Sequence, residues 1–138
     1  MADRLFIKPT FLIPSPAASP ANTGSMGANI TSAPFVIQLV SMFSLEVTWA
    51  GTSPVGVLNV QASNSYSLDA VGNVKNAGIW TNMTVNVGGS PVVDFAISGA
   101  SGSIFIDIGQ TSAYAIRCVY TRTSGTGTMS VLLVGKDT

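Results

Sequence analysis

Short runs of apolar residues, many of them alternating with polar ones, make up most of the chain beyond about residue 34. Residues 43–49 alternate strictly, so that Phe43, Leu45, Val47 and Trp49 would share one face of a strand. Runs of this kind predict strands at residues 35–40, 43–49, 55–62, 79–87, 92–97, 103–108, 113–121 and 129–134. No stretch has the period of an amphipathic helix. The pattern therefore predicts an all-β domain.

Glycine, proline and serine separate these runs and predict where the chain turns. We expect turns at residues 50–54, 88–91, 99–102 and 124–127, with hairpins at the last two, and the longest loop at residues 63–76. About eight short strands at this spacing indicate an antiparallel sandwich of two sheets, and a jelly roll has eight strands. We therefore predict a jelly-roll-like sandwich.

The first 34 residues differ from this body in composition. They contain five of the seven prolines, and proline lacks a backbone donor and fixes its own φ angle. Such a stretch favours extended or polyproline conformations over sheet or helix. We therefore predict an extended Pro-rich N-terminal arm over residues 1–34 and a β-sandwich domain over residues 35–138.

Two apolar clusters lie within this arm and would promote aggregation if they were exposed. An extended segment with such clusters suits strand addition, either back onto its own domain or across to a neighbouring subunit, and the sequence leaves both open. The predicted partner-binding residues are Phe6, Ile7, Phe11, Leu12 and Ile13. Deleting residues 2–14 should therefore leave the β-domain folded but weaken attachment to the partner.

Charged residues are scarce: six are basic, six are acidic, and together they make up 9% of the chain, against about a quarter in ordinary soluble domains. Charge keeps an isolated protein soluble and monomeric, so this composition favours a surface covered by other proteins. The neutral balance disfavours nucleic acid. No apolar run approaches the roughly 20 residues of a membrane-spanning helix, and no secretory signal is visible. We expect synthesis in a cytoplasm.

Catalytic and metal-binding chemistry has little support. The chain has no histidine, and the six acids fall on separate predicted elements without informative spacing: Asp3, Glu46, Asp69, Asp94, Asp107 and Asp137. The single cysteine, Cys118, has no histidine base and is predicted to be a packed thiol. One cysteine without histidine cannot fill a zinc site. We predict no enzyme, cofactor or metal; an enzyme would require two of the acids to meet in a cleft.

Two segments carry a resemblance to known proteins. One runs from Val47-Thr48-Trp49 through Val60-Gln61-Ala62-Ser63 to Gly78-Ile79-Trp80, and the other is Arg117–Thr128, closing on Lys136. Across roughly residues 43–136 the chain resembles small β modules of bacteriophage virions, and it is most similar to the jelly-roll cement (decoration) proteins of tailed phages.

This resemblance implies a structural protein on the outer surface of a phage capsid, made in the cytoplasm of a bacterial host. Its partners would be the major capsid protein and other copies of itself, as a dimer or trimer, with no nucleic acid, membrane or small-molecule substrate. The resemblance transfers no functional residues. The alternative is a tail-fibre or lectin-like recognition module that binds a carbohydrate or receptor through the 63–76 loop with Trp49 or Trp80, although packing is the simpler role for both tryptophans.

Overall fold

The computed structural model describes residues 6–14, 24–37 and 42–136, apart from the side chains of residues 6–8 and 110. These described residues form strands and no helix. The strands are β1 (Phe6–Ile13), β2 (Ile30–Thr31), β3 (Phe35–Val36), β4 (Met42–Ser63), β5 (Ser67–Leu68), β6 (Val74–Asn76), β7 (Thr81–Asn82), β8 (Val85–Val87), β9 (Ser90–Val92), β10 (Phe95–Ile97), β11 (Ser101–Gln110) and β12 (Ala115–Lys136). Every pairing between them is antiparallel, so the predicted antiparallel all-β class is confirmed.

Two long strands organise the molecule. β4 and β12 each span 22 residues and pair with each other from end to end. Two register shifts interrupt this ladder, one on each side of Ser124. Each strand contains one extra residue in this region, so the two irregularities cancel and the same register resumes beyond them. The shifts mark a bend that the two strands share.

The bend divides the pairing into two layers. The first layer runs in the order β1, β12, β4, β11 and uses residues 128–136 of β12 and 42–50 of β4. The second layer uses residues 115–122 of β12 and 56–63 of β4. There, β2 and β3 flank β12, while β7 and β10 flank β4.

One apolar core joins the two layers. The alternating side chains of residues 43–49 that were predicted to share a face are all buried in it. Fully buried side chains come from the first layer and from the second: Leu45, Val47, Val131, Leu58, Val60, Ile116 and Tyr120. Because both layers contribute to one core, the arrangement is consistent with a β-sandwich.

The described part of residues 1–34 lies against the body of the same chain. β1 forms the edge of the first layer, and β2 pairs with β12 in the second. Met26, which lies between these two strands, and Ile30, which lies in β2, are fully buried. Pro9 falls at a register shift between Ile7 and Thr10, where a missing ladder donor is tolerated. Of the two alternatives for this segment, the described residues follow the one in which it folds back.

The turns predicted at residues 50–54 and 124–127 are wrong, because both segments continue as strand at the shared bend. Ser53 and Gly125 have positive φ angles of 46° and 77° there. A Cβ on Gly125 would collide with the carbonyl oxygen of Ser53. The glycines at the bend therefore allow the two paired strands to approach closely. The chain bends here but does not reverse its direction.

The hairpin predicted at residues 99–102 is also wrong. β10 and β11 pair with successive parts of β4 and form no ladder with each other. The turn predicted at residues 88–91 is confirmed as the connection of the β8–β9 hairpin. The 63–76 loop contains the small β5–β6 hairpin, which is largely exposed.

Candidate functional site

The candidate site is the outer face of the first layer, which comprises the side chains of β1, β12, β4 and β11 that point away from the core. A row of four side chains crosses the middle of this face. Phe11 lies opposite Leu132, Leu132 opposite Glu46, and Glu46 opposite Phe105. Three of the four positions are apolar, although a strand face turned to solvent ordinarily carries polar residues.

Exposure distinguishes this row from ordinary surface positions. The side chain of Phe105 is 64% exposed and that of Phe11 is 49% exposed. Val134, one step along β12 on the same face, is 38% exposed. Aromatic and branched side chains held on a rigid sheet keep their shape when they bind, so they lose little conformational entropy.

Two shallow depressions flank the row. One, of about 240 Å³, is lined on this face by Met42, Ser44, Phe105, Asp107, Val134 and Lys136. The other, of about 340 Å³, lies towards the bend and is lined by Pro14, Thr48, Ala50, Thr128 and Ser130, with Trp49 and Met129 beneath. The face therefore has a depression on each side of the central apolar row.

Apart from Met42, Ala50 and Val134, the rest of the face is polar, and it carries little charge. The hydroxyl groups of Thr48 and Ser130 lie 2.6 Å apart and satisfy each other across the β4–β12 ladder. Among the described side chains of this face, the charged ones are Glu46, Asp107 and Lys136. Desolvation of charged groups is the costly part of burying a polar surface. A partner that covers this face would desolvate few of them.

The predicted partner-binding residues divide into three groups. The backbones of Phe6 and Ile7 pair with the end of β12, and their side chains lie outside the described residues. Phe11 lies on the outer face, whereas Leu12 and Ile13 are buried in the core at 3% and 0% exposure. In the folded chain, Phe11 is therefore the described side chain of this set that presents a large surface to a partner.

Sequence reasoning missed Phe105, Leu132 and Val134. Each lies in an uninterrupted apolar run, in which both faces of a strand read as core. A fully apolar run cannot show which of its two faces is covered within the chain and which is left open. The sequence carries no signal that separates the two faces; the pairing of β11 and β12 with β4 shows which one points outward.

The two tryptophans belong to packed environments. Trp49 is 8% exposed, and its ring nitrogen donates to the carbonyl oxygen of Ser98 at 3.3 Å, so the packing prediction is confirmed for this residue. The Arg117 guanidinium lies 4.5 Å from the ring centroid of Trp80, and the Tyr66 ring packs against Trp80 at 5.7 Å. A sugar would have to compete with Arg117 for a ring face of Trp80.

Arg117 is in turn held by the second layer. Its Nε donates to the side-chain oxygen of Gln61 at 2.8 Å, and Gln61 donates to Asn82 at 3.0 Å. Partial burial lowers the pKa of Arg117. This row of side chains therefore ties β12, β4 and β7 together on the outside of the second layer.

Two of the described carboxylates, those of Asp69 and Asp94, accept hydrogen bonds from neighbouring groups of the same chain. Asp69 accepts hydrogen bonds from the backbone N–H groups of Val71 and Asn73, and Asp94 accepts one from Asn59. Asp3 and Asp137 lie outside the described residues.

Two acids approach each other on the outer face. Asp107 accepts a hydrogen bond from the N–H of Gly109, and it lies opposite Ser44 in the ladder. Glu46 is therefore its diagonal neighbour across β4 and β11. Both side chains are exposed on an open sheet face, which does not provide the sheltered cleft that a paired acid and base require.

Cys118 is fully buried between the layers, as predicted for a packed thiol, and burial raises the pKa of Cys118 to about 12. Within the described parts of the chain, no three His, Cys, Asp or Glu residues come together as metal ligands would. The same residues include no helix of the length and apolar character needed to cross a membrane.

Comparison with known proteins identifies no relative: the chain matches no protein-family model, and no curated protein is significantly similar to it. Any function must therefore be argued from the surface of the molecule itself.

Proposed function

We propose that this protein is a non-enzymatic structural protein of a bacteriophage virion, a jelly-roll cement protein that binds the outer surface of the capsid. The observation that carries the proposal is the outer face of the first layer, which is broad, poor in charge and crossed by the Phe11–Leu132–Glu46–Phe105 row. The partner that fits such a face is an equally neutral protein surface, here the major capsid protein.

The order of strand pairing supports the jelly-roll part of the proposal. Three steps reduce the strands to eight: β4 and β12 are each divided at the bend, β2 and β3 are counted as one interrupted strand beside β12, and β5–β9 are set aside as an insertion between β4 and β10. The eight strands lie in the order first, eighth, third, sixth in one layer and second, seventh, fourth, fifth in the other. An eight-stranded, two-layered jelly roll pairs its strands in this order, and such folds are frequent in viral capsid proteins.

The size of the outer face favours attachment through many weakly bound copies, and not through one strong contact. Four strands about 4.8 Å apart and nine residues at about 3.4 Å each give an area of about 590 Å². A stable protein interface ordinarily buries about 800 Å² on each partner. One copy alone would therefore bind weakly, whereas copies that contact both the shell and one another would gain from repetition over a symmetric lattice.

Binding to isolated capsid shells of the phage that encodes the chain tests this proposal. We expect Phe105→Lys to weaken sedimentation with shells at least tenfold, because it places a charge in the apolar row. The matched control is Val71→Lys, at a position in the β5–β6 connection that is 81% exposed and away from this face. Equal binding by both variants would exclude the outer face, and no binding by the unaltered chain would exclude the proposed function.

A further inference from the structure

The edges of the two layers are protected unequally. Unpaired strand edges invite pairing with other chains, and proteins protect them with short strands, proline, lysine or bulges. In the second layer the flanking strands β2, β3, β7 and β10 are two or three residues long. In the first layer the β1 edge contains Pro9 and two register shifts. These features leave β11 as the long edge among the described strands: its residues 101–107 contain neither proline nor lysine, and they precede the register shift between Asp107 and Gly109.

The free side of β11 carries an ordered row of backbone groups. The N–H of Gly51 donates to the carbonyl oxygen of Ala100 at 2.8 Å, which sets the alternation of the ladder that follows. Even-numbered residues of β11 therefore direct their backbone groups to β4, and Ser101, Ser103, Phe105 and Asp107 direct theirs outward. β8 lies near β11 but forms no ladder with it within the described residues.

We infer that this edge pairs with the same edge of a second copy of the chain, antiparallel and about a two-fold axis. All four outward residues find partners in the register that places Ile104 opposite Ile104 of the second copy. Phe105 then faces Ser103 of the second copy, and Asp107 faces Ser101. No like charges are opposed, and residues 101–107 contain no proline and no basic residue.

This pairing would also enlarge the outer face. It joins two first layers edge to edge into one continuous sheet, so that the two Phe105 side chains lie close together on the same side. The combined area, about 1,200 Å² from the strand spacings used above, exceeds the roughly 800 Å² that each partner buries in a standard interface. The pairing itself does not depend on shell binding and can be measured on the purified protein.

The first test removes one outward N–H group that the monomer does not use. We expect the full-length chain to sediment as a dimer, or as an assembly of dimers, and Ser103→Pro to weaken self-association at least tenfold. Ser103→Ala keeps the N–H group and is expected to associate like the unaltered chain. A monomer at all concentrations, or unchanged association of Ser103→Pro, would overturn the inference.

A second test reads the register directly and does not depend on the proline variant folding. Ile104→Cys places two thiols at the proposed axis, where residues of a non-hydrogen-bonded pair lie about 4.5 Å apart between Cα atoms, close enough for a disulfide. Because native Cys118 is buried, it does not compete. We expect mild oxidation to link Ile104→Cys into dimers much faster than Ile79→Cys, whose position is 78% exposed. Equal rates for the two variants would exclude this register.

Discussion

Gly51 and Gly127 lie opposite each other where β4 and β12 bend, and a Cβ on Gly51 would collide with the Cα of Gly127 and the carbonyl oxygen of Thr126. The shared bend is possible because neither strand carries a side chain at this point. It brings the two layers over one core, and so it positions the outer face on one side of the molecule.

Gly51→Ala should therefore destabilise the protein by about 1–3 kcal/mol, the usual cost of forcing extra volume into packed structure. Gly27→Ala is the matched control, because its nearest neighbours would lie 3.7 and 3.8 Å from the new Cβ, at ordinary contact distance. Urea unfolding of both variants measures the difference. Equal stabilities would show that the strands can separate at the bend without cost.

Two residues of β1, Phe11 on the outer face and Ile13 in the core, should separate the effect on folding from the effect on attachment. Ile13→Ala removes a fully buried side chain and should lower the free energy of unfolding by about 2–5 kcal/mol. Phe11→Ala alters a half-exposed position and should change it by about 0.5 kcal/mol or less while weakening shell binding. Parallel unfolding and shell-binding measurements on the two variants test this, and a reversed pattern would contradict the assignment of their faces.

The burial of Leu12 and Ile13 also changes what deletion of residues 2–14 should do. The sequence predicts that the β-domain survives this deletion, whereas the structure makes these residues part of its core and of a sheet edge. We therefore expect the truncated chain to unfold at lower urea concentration than the full chain. A truncated chain of full stability would support an independent arm.

The hydroxyl group of Tyr120 is buried and has no hydrogen-bond partner among the described residues. An unpaired buried hydroxyl costs about 1–3 kcal/mol, so Tyr120→Phe should raise the free energy of unfolding by about 1 kcal/mol. Tyr120→Leu should lower it, because it removes the ring that packs on Gly56. Thermal unfolding of both variants separates the hydroxyl from the ring, and a less stable Tyr120→Phe variant would indicate a partner such as a buried water.

Alkaline pH should destabilise the protein through Cys118. Burial raises the pKa of Cys118 from its ordinary 9.0 to about 12, so the folded state holds this proton more tightly than the unfolded state does. Its stabilising contribution is complete below pH 9.0 and is lost as the pH rises towards 12. Burial also raises the pKa of Tyr120, against the opposing effect of the Arg122 charge, and acts in the same direction.

Urea unfolding at a series of pH values measures this loss, and Cys118→Ala should make the decline above pH 9.0 shallower. A thiol reagent provides an independent check, since Cys118 should react only after unfolding. Rapid labelling of the native protein would show that the interior opens at this strand.

The elements of the fold could be predicted where a local pattern determines them. Alternation in residues 43–49 identified the buried face of β4, and Gly88–Gly89 identified a turn. The bends at residues 50–54 and 124–127 resemble turns in the sequence. A glycine-rich segment has the same composition whether it reverses the chain or allows two strands to approach closely. Only the pairing of Gly51 with Gly127, far apart in sequence, distinguishes the two.

The candidate site was predictable in part for a related reason. Scarcity of charge indicated a covered surface, and Phe11 was identified from its apolar cluster. Phe105 was missed because its exposure follows from the outward orientation of one face of β11, which depends on long-range pairing with β4. Leu12 and Ile13 are indistinguishable from Phe11 in the sequence, because simple alternation would place Ile13 on the same face as Phe11. The register shift between Phe11 and Ile13 is what allows both Leu12 and Ile13 to be buried.

Imaging of the intact phage particle by electron cryomicroscopy tests the central claim most directly, because it shows both where the chain is and which face it uses. We predict a copy at each equivalent position of the capsid lattice, with Phe11 and Phe105 turned towards the major capsid protein. A chain found only at the tail, or on the shell with this face open to solvent, would contradict the account.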